Sequence, residues 1–476
     1  MSTKESFKIN TEVSPVYVDE ILEFINKHYL KAQSENFSNI EMKMEKGIHS
    51  LYFTLKDPEN KKKDLIYVKV IAVNPIQVEV ESDYSDIKKP LDELREDLTI
   101  LVQLYEDNIR SSTLYFAWVE GEDIIPEAKP SKRKKASSRM FGSSLLLLYA
   151  LFFIFNIILF IFFGIYAVIG ILGIQLIIVL FADQIYLRMA DWKITEKNPY
   201  VHMVQYQLPV EEFKEFQEKF GKETVVEMKQ EIYSKTLEKG LEPDCELGEE
   251  VFTKYGFHCN PGQKASKKIN IYKIVKEAAE KFDMPIPKIV ISNNIMPNAA
   301  ATGPSPKRGL VLITTGLLIQ LTEEEILTVV GHEFGHLQGR DPLILFGLVS
   351  GEFILRLTVL LPIVLISPLI YLFVAMGMIF FVAKFFETRA DLLSAMKIGK
   401  PEVLAEALTK IGYQKLQYER RSPSKILGWT MWDPHPPIYF RVDRLESLKD
   451  PSQIKYPLLE SAKDVFTGFF NVFKSR

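Results

Sequence analysis

Apolar residues are spread along the chain in contrasting ways. From about Ser14 to Pro126 they recur in short periodic runs. VYVDEILEFINKHYL has helical spacing, while SNIEMKM, SLYFTL, DLIYVKVIAV and IQVEVE read as strands separated by Asp-Pro-Glu-Asn and Asn-Pro. LDELREDLTILVQLYEDNI reads as a second helix and TLYFAWVE as a last strand, which predicts a small α+β domain. Leu145 to Phe181 is almost wholly apolar, long enough for two membrane spans of about 20 residues each, with Gly164, Gly170 and Gly173 as places to reverse. Leu343 to Phe386 is apolar again and is divided by Pro362, Ser367 and Pro368. Between them, EEFKEFQEKFGKETVVEMKQEIYSKTLEKG predicts a charged, solvated helix pair. INIYKIVKEAAEKFDM then predicts an amphipathic helix and PKIVISN a strand; NAAATGPSPKRG and LVLITTGLL predict a strand, a turn at Pro304 to Gly309, and a second strand. PEVLAEALTKIGYQKL reads as a late helix, and SAKDVFTGFFNVFKSR as an amphipathic tail suited to a membrane surface.

This pattern divides the chain into a soluble domain (1–128), a basic linker (129–143), a transmembrane hairpin (144–182) and a charged helical insertion (183–268). A second soluble domain follows in two parts (269–342 and 387–452), split by a second hairpin (343–386), and the tail covers 453–476. Net charge of −3 gives no global field towards nucleic acid, so no nucleic-acid partner is expected. A mean hydropathy of +0.03 in a chain that is 25% charged fits soluble parts joined to very apolar segments. KPSKRKKASSR, Lys129 to Arg139, stands just before the first apolar stretch, and Arg188 and Lys193 follow it. Basic flanks stay in the cytoplasm, so two hairpins put both termini and every soluble segment on that side of the plasma membrane. The N-terminus MSTKESFKIN has no apolar core, so no cleaved secretory signal is expected. Cys245 and Cys259 read as separate thiols of a reducing compartment, with a single disulfide as the alternative. His28, His49, His202 and His258 stand alone and read as surface or packing residues.

Chemistry concentrates in TEEEILTVVGHEFGHLQGRD, Thr322 to Asp341. Thr322 with Glu325 reads as a capping box, and Glu323, Glu324 and Glu325 suit the positive end of a helix dipole. On that helix His332 and His336, four apart, share a face. Two imidazoles so placed begin a Zn²⁺ site, and Glu333 beside them is placed to take a proton from water. The plainer reading is a buried helix that carries two histidines. FFETRAD sets Glu387 and Asp391 four apart on the first polar turn after the second apolar stretch. Glu387 supplies the carboxylate that the two histidines need as third ligand, and Asp391 can orient one of the imidazoles. Alone, such a pair is most often an exposed face. Glu352 and Arg356, four apart inside an apolar stretch, are expected to pair or to face the protein interior. His435 and Arg441, in DPHPPIYFRVDRL, can hydrogen-bond a developing oxyanion, although from these residues alone a structural loop leading to a last helix is the favoured reading. The strand before the metal helix can pair with an extended peptide or be an ordinary sheet edge.

NAAATG, LVLITTGLL, LTEEEILTVVGHEFGHLQGRD, ETRAD after the apolar stretch, and HPPIYFRVDRL together resemble the M48 family of integral-membrane zinc metallopeptidases. The likeness is closer to the HtpX branch and more distant to the CAAX prenyl protease. It covers 269–445 with motifs in order and 145–181 loosely. It implies a mainly α, zincin-like domain with a small edge β-sheet, to which the apolar pattern adds about four transmembrane helices and the N-terminal α+β domain. It implies one Zn²⁺ per chain on His332, His336 and Glu387, with Glu333 as general base and Asp391 behind a ligand. It also implies a substrate-binding edge strand at Asn298, Ala299 and Ala300, and His435 with Arg441 near the transition state. The expected activity is endopeptidase cleavage of membrane and membrane-associated proteins at the cytoplasmic side of the lipid bilayer. Residues 1–128 and 183–268 lie outside the family pattern and leave substrate choice and regulation open. Four spans are too few for the closed chamber of the prenyl protease, which makes prenylated peptides the lesser reading. A catalytically silent scaffold, recruiting a partner through the N-terminal domain, predicts gaps in the ligand set; the sequence has none.

Overall fold

The computed structural model describes residues 3–57, 63–84, 87–122, 154–156, 158–220, 222–422, 424–430 and 433–474. They divide into two units, Met1–Trp118 with Val201–Lys268, and Val119–Tyr200 with Ile269–Arg476.

The first unit is built on an antiparallel sheet of β1 (Thr3–Ile9), β2 (Phe37–Glu45), β3 (Ile48–Lys56), β4 (Asp64–Ile71) and β5 (Ile76–Ser82). The strand order is β1-β5-β4-β3-β2. Alternation decides which face is covered: Ile76, Val78 and Val80 point inward, while Glu79 and Glu81 are exposed. Helices α1 (Val18–Ile25) and α2 (Lys88–Arg110) close that core with Ile21, Leu22, Leu94, Leu98 and Val102. Thr113–Val119, Tyr200–Gln207 and Lys264–Asn270 form a three-stranded sheet in that order. The segment 183–268, expected as a charged helical insertion, therefore carries strands as well as the expected helices Val210–Lys219 and Lys222–Lys235. Tyr200–Gln207 is buried almost continuously, so it shows no alternation, and Lys264–Asn270 is too polar to read as a strand. The cysteines are also corrected. Cys245 and Cys259 form a disulfide with Cα atoms 5.3 Å apart. The helix Cys245–Lys254 ends in a turn at Gly256, φ 92°, that folds Cys259 back against the helix start.

The second unit holds a four-stranded sheet of β6 (Trp192–Ile194), β7 (Lys288–Ser292), β8 (Ala299–Thr302) and β9 (Leu310–Thr314), in the order β8-β9-β7-β6. β7 and β9 are parallel, and β8 runs antiparallel to β9 as an outer strand, Ala299 opposite Ile313. Helices α4 (Ile271–Phe282), α7 (Pro368–Ile398) and α8 (Pro401–Arg421) pack around α5 (Glu323–Gly339), which also meets β8.

Among the described residues, two helices are long and apolar enough to cross a membrane: α3 (Ile154–Leu180), with mean hydropathy 2.8, and α7, with 2.3. Only 12% and 28% of their apolar windows are covered by protein, so neither is an ordinary core helix. Four spans were expected, and the described residues provide two of that length. The first limb of 144–182 falls largely outside them. The first limb of 343–386 is interrupted, with α6 (Asp341–Leu357) ending at Thr358 and a short helix Leu361–Ile366 following. Seventeen residues at 1.5 Å each reach about 26 Å, short of a hydrocarbon core of about 30 Å. Glu352 and Arg356 do pair along α6 at 3.5 Å, and Tyr371 of the next limb donates to Glu352 at 2.8 Å. The tail is the helix α9 (Pro457–Lys474), which packs on α7 through Phe381 against Phe466 and Phe469, ring centroids 5.4 Å apart in each case.

Candidate metal centre

The centre is built on α5, whose two ends are fixed by side chains. At its start the Thr322 hydroxyl accepts from the Glu325 amide at 3.3 Å, and the Glu325 carboxylate accepts from the Thr322 amide at 2.8 Å. Glu325 is also paired at 2.5 Å with the buried Lys410 of α8. At its end Arg340 is left-handed, φ 55° and ψ 39°, a position that favours glycine and costs another residue of order 1–3 kcal/mol. This turn brings Asp341 back beneath the last helical turn. Its Oδ2 lies 2.7 Å from His336 Nδ1, and Arg389 donates to its Oδ1 at 2.5 Å.

Glycines on α5 set the distance to α7. A Cβ on Gly335 would lie 2.8 Å from the Ala390 Cα, and one on Gly331 would lie 2.6 Å from the Ile398 side chain. This close approach lets α7 deliver Glu387 and Asp391 to the histidines. Asp391 Oδ1 takes His332 Nδ1 at 2.8 Å. Each imidazole thus faces a carboxylate through Nδ1, which turns its Nε2 inward and fixes the tautomer a metal ligand needs.

The two Nε2 atoms are 3.1 Å apart, and the Glu387 oxygens lie 3.5 Å from that of His332 and 3.4 Å from that of His336. Donors around a tetrahedral ion with bonds of about 2.0–2.1 Å are separated by roughly 3.3 Å, so these three residues fit such an ion. Glu387 Oε2 is buried and has no hydrogen-bond partner among the described residues, and a cation satisfies such an atom. Charge points the same way. Asp341 and Asp391 are paired with Arg389 and Arg441, while Glu387 stands directly against the two imidazoles. Burial pulls the pKa of His332 down, but hydrogen bonds and charge from Asp391 and Glu387 carry it up to about 10. The centre is built to hold positive charge.

The other residues expected at the site divide into two groups. Glu333 is buried directly after His332 on α5. His435 is brought in, with Nε2 3.6 Å from Glu387 Oε2. Ala299 and Ala300 lie half-buried on the outer strand β8, and Asn298 just before it accepts from the Thr314 amide at 3.0 Å. Arg441, expected beside a developing oxyanion, instead donates with Nε and Nη2 to the two oxygens of Asp391, at 2.8 and 2.6 Å. It is 6% exposed. Burial lowers its pKa, but the charge and hydrogen bonds of Asp391, with Glu387 and Glu333, leave it raised. Sequence reasoning gave no role to Asp341, Arg389, Lys384 or Asp433. Asp341 and Arg389 stand inside motifs already quoted, and a carboxylate just past the second histidine was the available signal. Asp433 opens the quoted run DPHPPIYFRVDRL, and Lys384 carried no signal.

An H-E-x-x-H helix whose imidazoles meet a carboxylate from a second helix is the site of a metallopeptidase. The model of peptidase family M48 matches residues 265–449. Over 214 residues the chain is 30% identical to a Protease HtpX homolog of Thermodesulfovibrio yellowstonii, covering 37% of this chain and 74% of that protein. It is 29% identical over 217 residues to one from Desulforapulum autotrophicum, 38% and 69% of the two chains. It is 34% identical over 160 residues to Protease HtpX of Legionella pneumophila, 30% and 57%. The chain belongs to peptidase family M48 and is an HtpX-like protease.

Proposed function

We propose that this chain is a membrane-embedded, zinc-dependent endopeptidase that cleaves membrane and membrane-associated proteins at the cytoplasmic side of the bilayer. The observation that carries the reading is the convergence of His332 Nε2, His336 Nε2 and Glu387 within one ligand sphere. In this reading those residues hold one zinc ion, with Asp391 and Asp341 orienting the imidazoles from behind. Zinc supplies Lewis-acid polarisation of the scissile carbonyl and makes water more acidic. Glu333 takes the proton from the attacking water onto its carboxylate and delivers it to the leaving amine nitrogen. The outer edge of β8 aligns an extended peptide by strand addition, and His435 Nε2 faces the oxygen on which charge develops.

The membrane part of the proposal rests on α3 and α7, whose apolar surfaces are largely uncovered, and on the basic run Lys129 to Arg139 beside the first apolar stretch. The first limbs of 144–182 and 343–386 complete two hairpins in this reading. Zinc analysis and casein cleavage by the detergent-purified chain test the proposal, with Glu333→Gln beside wild type. Both are expected to bind one zinc, and only wild type to cleave. Full activity in Glu333→Gln, or cleavage by a zinc-free chain, overturns it.

A further inference from the structure

We propose that Lys384 and Asp433 form a positioning pair that fixes His435 over the metal-binding cluster. The proposal rests on the peptidase reading above and deepens it. Lys384 lies on α7, three residues before Glu387, and is wholly buried. A buried ammonium is costly unless its N–H groups and charge are used. This one donates to the backbone carbonyl of Asp433. The carboxylate of Asp433 is then fully occupied. Its Oδ1 takes both the backbone amide and Nδ1 of His435 at 2.9 Å each, and its Oδ2 is paired with Lys415 of α8 at 2.6 Å.

His435 needs such support because its own backbone offers little. Pro434, Pro436 and Pro437 surround it and lack amide hydrogens, so no ladder or helix can anchor the segment. With Nδ1 committed to Asp433, Nε2 is the nitrogen turned to the centre, 3.6 Å from Glu387 Oε2. Lys384 and Glu387 sit within one turn of the same helix, so one rigid element carries a ligand and the tether of the loop facing it. The same device appears three times: Asp391 holds the imidazole of His332 from behind, Asp341 that of His336, and Asp433 that of His435. Groups that stabilise a transition state must be held to about 0.5 Å to be effective, and Lys384 supplies that restraint through Asp433.

A double-mutant cycle in the detergent-purified full chain tests this, reading zinc stoichiometry, kcat and KM on a casein-derived peptide. Lys384→Met and Asp433→Ala are each expected to lower kcat at least tenfold, with one zinc bound and KM within about twofold of wild type. Neither is expected to lower kcat further in a His435→Ala background, because the group they position is gone. Unchanged kcat in the single variants, or equal losses with and without His435, overturns the proposal. If Lys384→Met does not fold, the Asp433→Ala and His435→Ala cycle decides alone. Additive losses together with an inactive Glu333→Gln overturn the positioning pair and leave the peptidase reading standing. Cleavage that survives Glu333→Gln overturns that reading and the proposal with it.

Discussion

The guanidinium of Arg441 grips both oxygens of Asp391, at 2.8 and 2.6 Å, and its hydrogen bonds reach the metal-binding cluster through that carboxylate. Asp391 in turn holds Nδ1 of His332. Arg441→Lys replaces a planar two-pronged contact by a point charge and frees the carboxylate to rotate. Zinc affinity is expected to fall about 10–100-fold, the usual cost of losing a group that orients a ligand. Competition with a chromogenic chelator measures it. Unchanged affinity with a lower kcat would instead place Arg441 against substrate.

Gly335 faces Ala390 so closely that an added Cβ would stand 2.8 Å from a backbone atom, which cannot swing aside as a flexible side-chain end can. Gly335→Ala is expected to push α5 and α7 apart, at a cost of about 1–3 kcal/mol in stability. Because the two histidines are on one helix and Glu387 on the other, zinc affinity should fall with it. Thermal unfolding and zinc titration on the same preparation check both. A variant with wild-type melting and affinity would show that this contact does not set the spacing.

The parts of the site carried by local spacing were legible beforehand. Thr322 and Glu325 announce a helix start, His332 and His336 share a face, and Glu387 and Asp391 repeat that spacing on a second apolar-led helix. What the sequence concealed depends on distance in space. Asp341 becomes a partner of His336 only through the left-handed turn at Arg340, and Arg441 meets Asp391 because α7 brings that carboxylate within reach. The disulfide of Cys245 and Cys259 needs the turn at Gly256. The strand Tyr200–Gln207 is buried on both faces and has no alternation to read. An apolar run of the right length also says nothing of the break at Thr358, which separates α6 from the short helix after it.

The first unit contains a titrating group of its own. Glu12 is buried beside Glu106, and both effects outweigh the charge and hydrogen bond of Arg110 and the charge of Lys267, raising its pKa from 4.5 to about 8. Tyr115 and Asp107 complete the charged surroundings of Arg110. Between those two values the folded chain keeps a proton that the unfolded chain has lost. The stabilisation is therefore fully present below about pH 4.5 and is lost as pH rises through about 8. Glu12→Gln is expected to flatten the fall in melting temperature between pH 5 and pH 8, and an equally steep fall in the variant would show that Glu12 does not titrate there.

The start of the metal helix depends on an ion pair with almost no solvent around it. Lys410 and Glu325 have side chains 4% and 2% exposed, and their charged atoms lie 2.5 Å apart. The same carboxylate closes the capping box with Thr322. Lys410→Met would leave a buried carboxylate with one charge partner fewer, and breaking such a pair costs about 3–5 kcal/mol. Glu325→Gln keeps the cap geometry without the charge, so the double variant Glu325→Gln, Lys410→Met is expected to be more stable than Lys410→Met alone. Chemical denaturation of the three variants gives the comparison. If the double variant is the less stable, the pair's charge is not what the single substitution exposes, and Lys410 acts through packing of its aliphatic stem between α5 and α8.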